Sequence, residues 1–220
     1  MAQELAQATM TRLHDLVGGT IPPPPYIVLH ASAADLPRGG EDVVGVYQPP
    51  LQTMHLVCGK ETTTDDFTTE VRHEATHHYL YAAFGLVPFW LNEGLATYME
   101  SGPLTEATAK DHLNPSRLRT FQALIRHGTA PQLSDILKNA RSHLALSDTY
   151  AACWALIFAL MHDDDAQRQA RHRRMLRSLL ALAASQPEGI NAAFVEEITR
   201  DGESLEEWEQ SWRRALWAWR

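Results

Sequence analysis

Hydrophobic positions change period near residue 60. From about residue 64 onward they recur three and four apart, the spacing of one helix face, whereas the stretch before carries short β-branched or alternating runs divided by Gly and Pro. Tyr26-Ile27-Val28-Leu29-His30, Val43-Val44-Gly45-Val46-Tyr47 and Thr53-Met54-His55-Leu56-Val57-Cys58 predict three strands. A helix over residues 2–17 precedes them, joined through the stiff Pro22–Pro25 run. Asp65 and Asp66 then open, and Gly85 closes, a helix free of Pro and Gly, with Val71, Ala75, His78 and Ala82 on one stripe. Pro88 restarts the chain into a second helix, Phe89 to Glu100, with Trp90, Leu91, Leu95 and Met99 as its buried side. Further helices are predicted from Asn114 to His127, Leu133 to Asn139, Tyr150 to His162, Ala166 to Ala184, Ile190 to Arg200 and Ser204 to Trp219. The Tyr150 segment is apolar on nearly all sides and should run through the core, with Ser147 or Asp148 as N-cap and Tyr150 in its first turn.

This succession reads as α+β, in one compact domain over residues 1–220: a helix-and-sheet subregion to about residue 62, then a helical one. With 220 residues, 45% of them hydrophobic, the chain can bury a substantial core without disulfides, so Cys58 and Cys153 read as two isolated thiols. A net charge of -8, and arginines at 168, 171, 173, 174 and 177 that spread around their helix, argue against nucleic acid as a partner. Asp163-Asp164-Asp165 lacks the Gly and closing Glu of a calcium loop and reads as an N-cap. Trp208, Trp212, Trp217 and Trp219 are expected to clamp the last helix to the core. No signal peptide or membrane-spanning run is visible, and a trimmed export signal would leave no trace, so localisation stays open.

The chemistry concentrates in His73-Glu74-Ala75-Thr76-His77. Residues four apart on a helix are separated by about 40° around the axis, so both imidazoles project toward one point and Glu74 stands beside it. That placement suits a base acting on metal-activated water. Glu93, near the start of the next helix, lies close enough through the short connection to supply a third ligand. Two imidazoles and one carboxylate leave a position of tetrahedral zinc open, the arrangement of a catalytic site. The bland reading of Glu93 is a solvated carboxylate near a helix start. Glu100, two turns further along the same face, is the candidate carboxylate behind a ligating histidine, or else a solvated helix-end charge. His78 points about 100° away from His77 and reads as packing or cleft lining. His30, His55, His112, His127, His143, His162 and His172 lack ligand spacing and read as ordinary polar residues.

The H-E-x-x-H string followed by Trp90-Leu91-Asn92-Glu93-Gly94-Leu95-Ala96 resembles the gluzincin metallopeptidases, in particular the peptidase-MA-like families that include DUF1570; the second block is also similar to M1 aminopeptidases. The resemblance covers roughly residues 25–160. It implies a zincin, thermolysin-like catalytic domain with a small N-terminal mixed sheet, the H-E-x-x-H helix and a mostly helical C-terminal part. It also implies one Zn2+ held by His73, His77 and Glu93, with Glu74 as general base. A Y-x-x-x-W-A-L pattern at Tyr150 matches a family tyrosine that donates to the oxyanion; from the residues alone a core tyrosine bonded to backbone is the stronger reading, and only the resemblance brings the two level. The sheet's edge strand would pair with an extended peptide. Fewer residues separate His77 from Glu93 than in M1 enzymes, and no G-A-M-E-N-like segment precedes the helix, so aminopeptidase specificity does not carry over.

The leading expectation is a zinc-dependent metallopeptidase acting on a peptide or protein substrate. A catalytically silent zincin-fold module that binds extended peptides or partner proteins is the alternative, against which the intact Glu74 counts. A helical protein with a chance motif is the third, and absence of stoichiometric zinc would favour it.

Overall fold

The structure, a computed structural model, describes residues 1–37, 43–105, 109–138 and 145–219. Asn139, at the end of one expected helix, and His143 lie outside the described residues. The chain opens with α1 (Ala2–Val17), followed by β1 (Tyr26–His30), β2 (Gly45–Gln48) and β3 (Thr53–Val57). Then come α2 (Thr64–Phe84), α3 (Phe89–Met99), α4 (Pro115–His127), α5 (Leu133–Leu137), α6 (Leu146–Met161), α7 (Ala166–Ala183), α8 (Ile190–Ile198) and α9 (Leu205–Ala218). The architecture is thus α+β with a small mixed sheet, as the change of period suggests.

β3 is the central strand, parallel to β1 and antiparallel to β2. Its alternation decides which face is covered: Met54 and Leu56 are buried against Phe67, Val71 and Ala75 of α2 and Ala6 of α1, while Thr53, His55 and Val57 face the other way. His78 fastens sheet to helix. Fully buried, it accepts from the Tyr47 hydroxyl at 2.9 Å through Nδ1 and donates to the Pro23 carbonyl at 2.8 Å through Nε2. The extra histidine after the motif is therefore a packing residue.

The larger core lies among the helices. Trp90, Leu91 and Leu95 of α3 pack with Trp154, Ile157 and Phe158 of α6, and each fully buried side chain of this size contributes about 1.5–3 kcal/mol. α2 starts with a capping box between Thr63 and Asp66 and ends at Gly85, whose φ of 79° needs no Cβ. Asp165 caps α7 through the amides of Gln167 and Arg168, as the triple-Asp reading requires. Cys58 and Cys153 are both free, one exposed and one buried.

Three expectations need correction. α6 begins one turn early, at Leu146, because the Ala145 carbonyl already accepts from Asp148 and Thr149; Ser147 and Asp148 lie inside the helix, and Tyr150 is beyond its first turn. Trp208 and Trp212 do clamp α9, but Trp217 is 48% exposed beneath Arg126. His112 and His172, read as ordinary polar residues, are buried.

Candidate metal centre

α2 and α3 are joined by residues 85–88 only, so they cross closely. The crossing brings Glu93 Oε2 to 3.5 Å from His73 Nε2 and 3.6 Å from His77 Nε2, and one ligand atom from each residue falls within 4.8 Å of the others. Metal–ligand bonds of about 2.1 Å at a tetrahedral angle place ligand atoms about 3.4 Å apart, close to the two separations from Glu93 to the imidazoles.

Both imidazoles are held from behind. His73 Nδ1 donates to Glu100 Oε1 at 2.9 Å and His77 Nδ1 donates to Asn92 Oδ1 at 3.1 Å, which leaves both Nε2 atoms facing the shared point. Glu100 is itself fixed by Arg117 Nη2 at 3.3 Å and by Asn114 Nδ2 at 3.3 Å, and Asn114 also caps α4. The carboxylate suspected from its position on the face of Glu93 thus reaches His73. Asn92 was not singled out from the sequence; its place inside the W-L-N-E-G block was the only pointer.

Glu74 is 4% exposed, and its Oε2 has no hydrogen-bond partner among the described residues. Burial pushes its carboxyl up to about 8; the neighbouring His73 opposes this, and Glu70 and Glu93 add to it. Burial disfavours the His73 cation, but the carboxylates of Glu100, Glu93 and Glu74 outweigh that and raise it well above an ordinary histidine. His77 is pulled down to about 4 by burial and then by His73. Such a pocket stabilises positive charge where the imidazoles converge. Tyr150 borders it on the His73 side, its ring 6.1 Å from that imidazole and 6.3 Å from Phe89, with the Arg117 guanidinium carbon 5.7 Å from its centroid.

Anchoring of α3 explains why Glu93 arrives where it does. Trp90, fully buried, donates through Nε1 to Asn191 Oδ1 at 2.9 Å. Gly94 lets α3 lie directly on α6: a Cβ there would stand 2.6 Å from Ile157 Cγ1 and 2.8 Å from the Cys153 carbonyl oxygen.

The fold and site define an α+β protein with a largely buried His-His-Glu cluster of the kind that could hold a metal ion, and a carboxylic acid beside it. Residues 67–179, more than half of the chain, match the family described as "Protein of unknown function (DUF1570)", and the chain belongs to that family. The matched span includes His73, Glu74, His77, Glu93 and Tyr150. No curated protein and no solved structure matches the chain. Among the described residues no helix is long and apolar enough to cross a membrane.

Proposed function

We propose that this protein is a zinc-dependent metallopeptidase of the gluzincin type, built on a zincin-like domain and hydrolysing bonds in a peptide or protein substrate. The observation that carries the reading is the convergence of His73 Nε2, His77 Nε2 and Glu93 Oε2 at spacings suited to one zinc ion, with Glu74 buried beside them. When bound there, zinc supplies Lewis-acid polarisation of a carbonyl and lowers the pKa of water to about 7.

The chain's own residues do the rest. His73, His77 and Glu93 hold the ion, and Glu100 and Asn92 keep the two rings turned toward it. Glu74 takes a proton from the attacking water and passes it to the leaving amine. We assign Tyr150 as the donor to the charge that develops on the carbonyl oxygen. Of the two edge strands, β1 and β2, we assign β2, which packs on α2, as the one an extended substrate would join.

The test is a peptide-library digestion by the zinc-loaded protein alongside Glu74→Gln, with zinc measured in both. Cleavage by the wild type, lost in the variant with zinc retained, is the expected result. Equal cleavage by both would overturn the role of Glu74, and stoichiometric zinc without cleavage in either would favour a silent peptide-binding module.

A further inference from the structure

Arg117, on the first turn of α4, meets two groups of the site at once. Its Nη2 lies 3.3 and 3.4 Å from the two oxygens of Glu100, the carboxylate behind His73. Its guanidinium carbon lies over the Tyr150 ring, 5.7 Å from the centroid, within the range at which a cation is attracted to an aromatic face. The arginine is well fixed. Its backbone amide donates to Asn114 Oδ1 at 3.2 Å, and Asn114 Nδ2 donates to Glu100 Oε2, so two residues at the start of α4 grip the same carboxylate. Side-chain exposures of 23% for Arg117 and 8% for Glu100 leave little water to screen the pair. Arginine suits both contacts, since its edge offers donors to a carboxylate while its planar face meets a ring.

The ring so met is the one assigned to the oxyanion. Its centroid lies 6.1 Å from the His73 imidazole and 6.3 Å from Phe89, and a phenol hydroxyl serves a developing charge only when it is held to a fraction of an ångström. We infer that Arg117 is a positioning residue for Tyr150, anchored by Glu100 and holding the phenol ring beside His73 through its guanidinium face. The catalytic consequence rests on the peptidase reading; the placement of the ring does not. The competing role for Arg117 is to balance the charge of Glu100 alone, and the two roles separate on substitution. Glutamine at 117 keeps a donor for Glu100 and removes the cation from the ring. Tyr150→Phe removes the hydroxyl and keeps the ring.

The experiment uses the full chain as wild type, Arg117→Gln, Arg117→Met, Tyr150→Phe and the double variant Arg117→Gln/Tyr150→Phe. Zinc affinity is read by chelator competition, kcat and KM on a cleaved peptide, and ring placement by the NOE between the Tyr150 and His73 ring protons in metal-free protein. Arg117→Gln should lower kcat about 3- to 30-fold, with KM and zinc affinity within about twofold of wild type and the NOE weakened. Arg117→Met, which removes the cation with a side chain that favours a helix, should weaken the NOE equally. Tyr150→Phe should lower kcat about 100-fold. In that background Arg117→Gln should change kcat by less than about twofold, because its effect passes through the hydroxyl. Losses in kcat that multiply in the double variant, a full NOE in folded Arg117→Gln or Arg117→Met, or a loss confined to zinc affinity overturns the inference. Should wild type cleave nothing, the peptidase reading fails while the NOE still decides whether Arg117 holds Tyr150.

Discussion

Gly94→Ala is the most direct probe of how packing sets the candidate metal centre. An alanine would ordinarily favour a helix by about 1 kcal/mol over glycine. Here its methyl would sit 2.8 Å from the Cys153 carbonyl oxygen and 2.6 Å from Ile157 Cγ1. The isoleucine can turn, but the carbonyl belongs to the α6 backbone, so α3 must retreat. Overpacking of this kind costs up to about 3 kcal/mol, which outweighs the helix-propensity gain and leaves a net loss of about 2 kcal/mol. For a chain of this size that lowers Tm by about 4–8 °C. Because Glu93 precedes Gly94 directly, retreat of α3 also lengthens the separations from Glu93 Oε2 to the two imidazoles, now 3.5 and 3.6 Å, and zinc affinity should fall with stability. Thermal unfolding of the metal-free protein and chelator competition read the two effects separately. A Gly94→Ala protein as stable as wild type, or more so, would refute the close-approach argument. Lost stability with full zinc affinity would refute its link to the ligand.

Asn92→Ala removes the acceptor behind His77 and should weaken zinc binding about 10- to 100-fold without unfolding the protein; unchanged affinity in the same competition assay would show that the 3.1 Å contact does not orient the ring. Chelation of bound zinc should lower Tm by about 10 °C when the metal was in ~1,000-fold excess over its Kd, and His77→Ala should abolish that difference. His172 is 2% exposed, and burial pulls it from 6.5 down to about 4. Its folded pKa lies below the unfolded one, so its contribution is complete above pH 6.5 and is lost as pH falls toward 4, up to about 3 kcal/mol. Urea titrations of wild type and His172→Phe across that interval should show a flatter pH dependence in the variant; parallel curves would sink the assignment.

The parts of the site legible in the sequence are those fixed by local geometry. His73, Glu74 and His77 share a helix, and their mutual directions follow from its period; Glu93 follows from a connection too short to let α3 stray. Glu100 was within reach because it repeats the Glu93 direction two turns on. Asn92 is adjacent to a recognised residue yet escaped notice, since which neighbour of Glu93 faces His77 depends on the crossing of α2 and α3, and spacing along the chain does not set a crossing angle. The start of α6 was misjudged because Ser147 and Asp148 are good N-cap residues in isolation, whereas the chain continues its hydrogen-bond ladder back to Ala145. β3 is readable because one of its faces is covered and its burial alternates, and the helices because most carry an apolar stripe.

These contacts make α3 more than the donor of one candidate ligand. Within Trp90 to Glu100 it supplies Glu93, orients His77 through Asn92 and His73 through Glu100, and is itself held by two contacts outside the α2–α3 pair. One is Gly94 on α6. The other is the Trp90 indole on Asn191, whose amide nitrogen in turn donates to the Leu137 carbonyl at 2.7 Å and so ties α8 to the end of α5. A ligand geometry held to a few tenths of an ångström requires a backing that does not yield, and a helix of 11 residues is too short to be rigid alone. Helices α5, α6 and α8 contribute no residue to the His73-His77-Glu93 cluster, but together they form the surface against which α3 is pressed, and the position of Glu93 is a consequence of that surface.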